Sequence, residues 1–199
     1  MKDCPKFHPL KLRSAPKRLQ AVVAIGKNTS RRGLAPYELE RLFSHMLPGY
    51  TVAREASGRP IVLGSSLQIS LSHADGVTAL ALAPFPVGVD VECVDPDFDI
   101  LDIDPALFGE QDFRVLQTCD VSSRRDCFYR LWTLKEANLK LRGRNLLTDT
   151  LPSISGARDT STAWITSTSG RYCVGAVGSG PLNLSPRPVL GPPADRAGS

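Results

Sequence analysis

Val87-Gly88-Val89-Asp90-Val91-Glu92 and, further on, Leu131-Trp132-Thr133-Leu134-Lys135-Glu136-Ala137-Asn138-Leu139-Lys140 decide the reading of this chain. In the first stretch β-branched residues alternate with acids, the pattern of a strand. Successive side chains on a strand point to opposite faces, so Asp90 and Glu92 share one face and Val89 and Val91 the other. The second stretch is rich in helix formers. Trp132, Glu136 and Lys140 fall at i, i+4 and i+8 and make one stripe along a helix. Two carboxylates on the strand and a third on the helix are the oxygen donors that a hard divalent cation takes. A lysine one turn beyond suits an anion bridged to that cation, and Mg²⁺ prefers oxygen ligands with phosphate nearby.

The residues around this centre read as an α+β chain. Leu67–Leu71 predicts a strand, Ser72-His73-Ala74-Asp75-Gly76 a polar connection, and residues 77–83 the returning strand of a hairpin-like unit. His73 then sits where a strand gives way to a loop. Cys93 to Pro105 is an acidic loop with Asp95, Asp97, Asp99, Asp102 and Asp104. Pro105 to Cys119 predicts one helix. A longer helix follows from about 123 to 142, capped by Ser122 or Ser123 and stopped by Gly143. Phe128, Leu131, Leu134, Ala137, Leu139 and Leu141 cover most of its circumference, so it is expected to be buried, and its charges then need partners. Residues 144–162 read as loop, and Ala163–Thr168 with Tyr172–Val177 as a final hairpin.

Upstream, Arg18–Ile25 predicts a strand. Gly26–Gly33 is a polar loop with Lys27, Arg31 and Arg32. A helix opens at Pro36 with a stripe of Leu39, Leu42, Phe43, Met46 and Leu47. Ser57-Gly58-Arg59-Pro60 reads as a turn. Both halves of the chain run strand, helix or helices, hairpin. That faint repeat predicts two similar lobes with a site between them, residues 1–84 and 85–178. Residues 179–199, rich in Pro, Gly and Ser without pattern, read as a disordered tail.

Composition limits the function classes. The chain has 199 residues, 42% hydrophobic and 22% charged, ordinary for a globular protein. A net charge of +4 suits anionic ligands or an acidic partner and is too weak to argue for nucleic acid. The five cysteines are scattered with no CxxC, which predicts reduced thiols in a cytoplasmic protein and no zinc site. Residues 1–17 are basic and broken by prolines, unlike a signal peptide. The most apolar run, 77–89, is broken by Pro84 and Pro86, so no membrane span is expected.

Four elements in order then add up to a resemblance. Gly88-Val89-Asp90-Val91-Glu92, and Phe128 to Ala137 (FYRLWTLKEA) with Lys140 and Gly143, resemble the two signature motifs of 4′-phosphopantetheinyl transferases. Gly58-Arg59-Pro60 and Ser72-His73-Ala74-Asp75-Gly76 look like that family's G-[KR]-P and S-H-x-x-G elements. The match runs from about Tyr37 to Val177 and is nearest to the long, surfactin-synthetase-type branch, in which one chain holds two similar lobes. The resemblance implies a holo-carrier-protein synthase. Such an enzyme moves the phosphopantetheine arm of coenzyme A onto a serine of an apo acyl or peptidyl carrier protein and releases adenosine 3′,5′-bisphosphate.

Carried over by residue, Asp90, Glu92 and Glu136 resemble the family's Mg²⁺ ligands. Lys140 resembles its pyrophosphate lysine, Ser72 and His73 its coenzyme A phosphate contacts, and Arg59 the basic residue near the adenine and 3′-phosphate. Glu136 is the candidate base for the serine proton, with a metal-bound water as the other. Asp112 stands where relatives carry a glutamate, and Trp132 reads as packing. The resemblance implies a monomer that acts on coenzyme A and a carrier, with no nucleic acid or membrane partner. Two other readings stay open: a non-catalytic coenzyme A or carrier-protein binding module of the same fold, and a structural domain whose acids pair with Lys135, Lys140 and nearby arginines.

Overall fold

The structure is a computed structural model; it describes residues 21–27, 43, 49–56, 58–75, 77–97, 99, 103–144, 154, 161–166 and 171–183. Its elements run β1 (Ala21–Lys27), β2 (Val52–Arg54), β3 (Pro60–Val62), β4 (Gln68–Ala74), β5 (Val77–Ala83), β6 (Val87–Cys93), α1 (Pro105–Phe108), α2 (Glu110–Thr118), α3 (Val121–Leu141), β7 (Ser161–Thr166), β8 (Tyr172–Gly178) and β9 (Leu182–Asn183). The fold is mixed α and β, as the patterns predict. The helix expected from Pro36 lies outside the described residues except for Phe43, which is helical and buried. Arg31, Arg32 and the lead-in 1–17 also lie outside them.

The strands form a sheet in the order β4-β5-β1-β9, a second in the order β6-β8-β7, and a separate β2-β3 hairpin. Period-two alternation explains how they stack. Val77, Ala79, Ala81 and Ala83 of β5 pack against Val87, Val89 and Val91 of β6 and Val174 and Ala176 of β8. That leaves Gly88, Asp90 and Glu92 on the opposite face of β6. The sheets also meet at their edges, where β4 lies beside β6. Ser70 Oγ accepts a hydrogen bond from the Val89 N–H at 3.1 Å, so serine side chains join edges that no backbone ladder joins.

Helix α3 covers the face of β6 and β8 that carries the acids, and two glycines make the close approach possible. A Cβ on Gly88 would lie 1.8 Å from the Ala137 carbonyl oxygen, and one on Gly175 would lie 2.6 Å from Thr133 Oγ1. The buried residues of the helix all lie from Phe128 onward, while its first turn is open, with Val121 81% exposed. It stops at Gly143 as expected. With φ +68°, Gly143 donates its N–H to the Lys140 carbonyl at 3.1 Å, and Arg144 donates to the Leu139 carbonyl at 2.9 Å. These two bonds define a Schellman stop. At the other end the N-cap is Asp120, not Ser122 or Ser123, and its side chain makes no capping bond.

Three further expectations are corrected. The single helix over 105–119 is two helices, because Gly109 takes φ +93° and breaks the run. The connection after β4 is shorter than the polar composition suggested. β4 continues through Ser72 and His73 to Ala74, which pairs with Val77, and the Asp-Gly pair at 75–76 is a known two-residue hairpin signal. The stretch 179–199 is not wholly a tail. Leu182 and Asn183 form β9, which pairs parallel with Ala21 and Val22 of β1; residues 184–199 lie outside the described residues. Among the described residues no helix is long and apolar enough to cross a membrane.

Candidate functional site

Asp90 is the centre of the site. It lies in the middle of β6, opposite Gly175 of β8, where α3 comes closest to the sheet. Its side chain is nearly out of solvent, 2% exposed. Oδ1 accepts hydrogen bonds from Ser72 Oγ at 2.7 Å and from the Lys140 ammonium at 2.7 Å. That ammonium also donates to Ser72 Oγ at 2.7 Å. The three side chains, from β4, β6 and the last turn of α3, close a triangle. Asp90 Oδ2 is buried with no hydrogen-bond partner.

Glu92 and Glu136 stand around this triangle. Burial first, and then the charge of Asp90, push the Glu92 carboxyl up to about 7, against the Trp132 indole and Lys140. Burial and Asp90 likewise push Glu136 up to about 7, against Lys140, with Glu92 adding to the rise. Both glutamates therefore lie within the field of the Asp90 charge. The helical stripe works as its spacing predicts. Trp132 donates its Nε1–H to Glu92 Oε1 at 3.2 Å, and Lys140 reaches Asp90, with Glu136 on the turn between them.

The donor set suits a hard cation. It consists of carboxylate oxygens, one of them buried and unpartnered, with no sulfur or imidazole among them. Asp90, Glu92 and Glu136 are the residues that would hold Mg²⁺. Among the described residues no group of three His, Cys, Asp or Glu side chains is drawn together as a ready cation cage. Instead the Lys140 ammonium stands on Asp90.

The other expected residues divide. Ser72 joins the triangle. His73, next along β4, takes the opposite side of the strand and is exposed, so the structure does not bring the two together. Arg59, at the end of the β2–β3 turn, donates from Nη2 to Gln68 Oε1 at 3.4 Å. Its Nη1 lies 3.5 Å from where a Cβ on Gly143 would be, so it leans over the end of α3, one turn from Lys140.

Two residues have roles that the sequence reading missed. Trp132 stacks in an aromatic cluster with Phe108 and Phe128, as packing predicts, but its N–H also orients Glu92. A half-buried indole N–H gains from an acceptor, and its place on the Glu136–Lys140 stripe was the available signal. Asp112 is fully buried and pairs with the fully buried Lys135 at 2.5 Å; its Oδ2 also accepts from the Ile154 N–H at 3.1 Å. Burial pulls the Lys135 ammonium below the usual lysine range while Asp112 supports it, and the ammonium also sits 5.0 Å from the Phe108 ring centre. No local pattern links Asp112 to Lys135.

Comparison with known proteins bears on the same segment. Residues 86–173 match the family model described as the 4′-phosphopantetheinyl transferase superfamily. The chain is 32% identical over 89 residues to 4′-phosphopantetheinyl transferase gsp of Aneurinibacillus migulanus, covering 45% of this chain and 36% of that protein. It is 24% identical over 141 residues to 4′-phosphopantetheinyl transferase psf-1 of Bacillus pumilus, covering 70% of this chain and 60% of that one. It is 30% identical over 77 residues to 4′-phosphopantetheinyl transferase Sfp of Bacillus subtilis strain 168, covering 39% and 34%. The chain thus spans less than two thirds of the length of each.

Proposed function

Residues 86–173 belong to the 4′-phosphopantetheinyl transferase superfamily, and on that premise we propose that the chain transfers 4′-phosphopantetheine from coenzyme A to a serine of an apo carrier protein. In the reaction the serine oxygen bonds to the phosphorus that carries pantetheine, and the phosphoanhydride bond breaks. The electron pair leaves with adenosine 3′,5′-bisphosphate, and the serine proton passes to a base. The observation that carries the reading is the buried contact of Lys140 with Asp90 and Ser72 where Gly88 and Gly175 seat α3 on the sheet, with Glu92 on the same strand face and Glu136 on the same helical stripe. Phosphoryl transfer needs positioning and charge neutralisation more than covalent chemistry, and this set offers both.

Mg²⁺, when bound, would neutralise charge on the pyrophosphate as the anhydride breaks. The remaining roles fall to the chain. Asp90, Glu92 and Glu136 hold the cation's place. Trp132 fixes the orientation of Glu92. Lys140 and Ser72 are the assigned pyrophosphate contacts, and Arg59, over the end of α3, is the assigned contact for the adenosine 3′-phosphate. His73, exposed on the same strand as Ser72, takes an outer phosphate. Glu136, with a carboxyl poised near neutrality, accepts the serine proton.

The reading includes two lobes, residues 1–84 and 85–178, that meet at the site. The contact of Ser72 and Asp90 across that division supports it. It also includes a monomer, and a cytoplasmic location, the latter supported by free cysteines at 93, 119, 127 and 173. The carrier is an acyl or peptidyl carrier protein, and the basic balance of the chain favours an acidic docking helix.

The test is to incubate the chain with coenzyme A, MgCl₂ and an apo acyl carrier protein, then a peptidyl one, and to weigh the carrier by intact mass spectrometry. The expected result is a gain of one phosphopantetheine, abolished by EDTA and by Glu136→Gln. If neither carrier gains mass while coenzyme A binds, the activity is wrong.

A further inference from the structure

The single negative charge of Asp90 is claimed twice, although Oδ2 has no hydrogen-bond partner. In the structure Oδ1 accepts the Lys140 ammonium at 2.7 Å, and in the proposed reaction the same carboxylate holds a divalent cation. Lys140 is also assigned to the pyrophosphate of coenzyme A, and two of its three ammonium protons are already spent on Asp90 and Ser72. The contact is well built. Asp90 and Ser72 are 2% and 6% exposed, and the lysine side chain is 29% exposed, so the ammonium has a route outward that the carboxylate lacks. A buried carboxylate stripped of its counter-charge is strongly destabilised. Lys140 therefore leaves Asp90 only when another cation takes its place, and leaves most readily when an anion receives it.

We propose that Lys140 is a displaceable counter-ion of Asp90, and that a divalent cation and the coenzyme A pyrophosphate displace it together, each strengthening the binding of the other. The inference rests on the metal and coenzyme A assignments above. The exchange is balanced in charge. Asp90 trades an ammonium for a metal ion, and the ammonium trades a carboxylate for a phosphate oxygen. Linkage makes the coupling reciprocal. The cation alone must compete with Lys140, and coenzyme A alone must draw Lys140 from a carboxylate that then stands uncompensated. Ser72 sets the strength of the lock, because its hydroxyl bonds both partners.

The test uses Mn²⁺ as probe on the full chain, reading free Mn²⁺ by electron paramagnetic resonance with and without saturating coenzyme A. The wild type should bind Mn²⁺ about tenfold or more tightly when coenzyme A is present, within the usual range of coupling between sites. Lys140→Met should bind Mn²⁺ alone more tightly than the wild type and lose the gain from coenzyme A. Ser72→Ala keeps both charges and guards against a misfolded lysine variant; it should also tighten Mn²⁺ alone. If both variants bind Mn²⁺ alone as the wild type does, or more weakly, the exchange is overturned. It is equally overturned if Lys140→Met tightens Mn²⁺ by the same factor with and without coenzyme A, because simple charge proximity predicts that. Asp90→Asn separates the two levels. Undiminished Mn²⁺ binding there, with coenzyme A present, would remove the metal assignment itself. Lost binding there, beside unchanged Lys140→Met and Ser72→Ala, would remove only the exchange.

Discussion

Asp90 is a carboxylate almost out of solvent, with one oxygen shared by Lys140 and Ser72 and the other without a partner. Such a group is kept for what it can bind, since burying an unsatisfied charged oxygen opposes folding. Asp90→Asn or Glu136→Gln is expected to slow carrier modification about a hundredfold or more, as when a principal electrostatic stabiliser is removed; initial rates by intact mass give the ratio. Glu92 and Glu136 add a pH signature. Both carboxyls are pushed up to about 7 from an ordinary 4.5. Between those values the native state binds more protons than the unfolded state, so stability falls as pH rises through the window and levels off above it. Melting curves in EDTA should show the midpoint dropping from pH 5 to pH 7.5, and Glu136→Gln should flatten that slope. Lys135 and Asp112 behave differently, as a closed structural pair. Asp112→Asn leaves a buried ammonium without its counter-charge and should cost about 3–5 kcal/mol in urea unfolding. The double change Lys135→Met with Asp112→Leu should recover most of that loss.

At the scale of elements, α3 is placed by what the sheet lacks. Gly88 and Gly175 lie under its backbone, and a methyl group at Gly88 would stand 1.8 Å from the Ala137 carbonyl oxygen. Backbone cannot yield there as a side-chain tip would, so Gly88→Ala must lift the helix from β6. Because Glu136 and Lys140 flank the point of contact, the lift separates them from Asp90. The variant should lose transfer activity and melting temperature together, measured by intact mass and by circular dichroism. Ala→Gly at position 137 should not restore it, because the colliding atom is the backbone oxygen. Another element-level feature is the joint between β4 and β6, held by Ser70 and Ser72. Their hydroxyls do the work of ladder bonds, which explains why small hydroxyl residues stand at buried positions of β4.

At the scale of the molecule, the end of the described chain returns to its beginning. After β8, Ser179 donates to the Pro86 carbonyl at 3.1 Å, Gly180 lies against the Phe85 ring, and Leu182 joins the core while β9 pairs with β1. This return ties the sheet that carries Ser72 to the segment that leads into β6. A chain ended at Gly178 uncovers Phe85 and Leu182's place on the core. It should be less stable than a chain ended at Asn183 by on the order of 2 kcal/mol, the worth of one large apolar side chain. Paired urea titrations of the two chains give that difference.

Elements that carry their own period, and the chemistry they bear, follow from local sequence. The alternation at 87–92 and the helical stripe of Trp132, Glu136 and Lys140 placed three acids and a lysine on faces that could meet. Gly143 marked the helix stop because only a glycine takes a left-handed turn without strain. Tertiary structure alone decided which edges came together. Ser72 faces Asp90 while His73 turns away because β4 runs on through these two residues, which looked like a loop. Lys140 stands on Asp90, Lys135 is sealed against Asp112, and Leu182 and Asn183 complete a sheet begun at Ala21. The physical reason is one of range. Side-chain periodicity is set by neighbours three or four positions away, whereas a buried ion pair or a closing strand joins residues far apart in the chain. Such contacts become favourable only after the whole core has brought them together and excluded water.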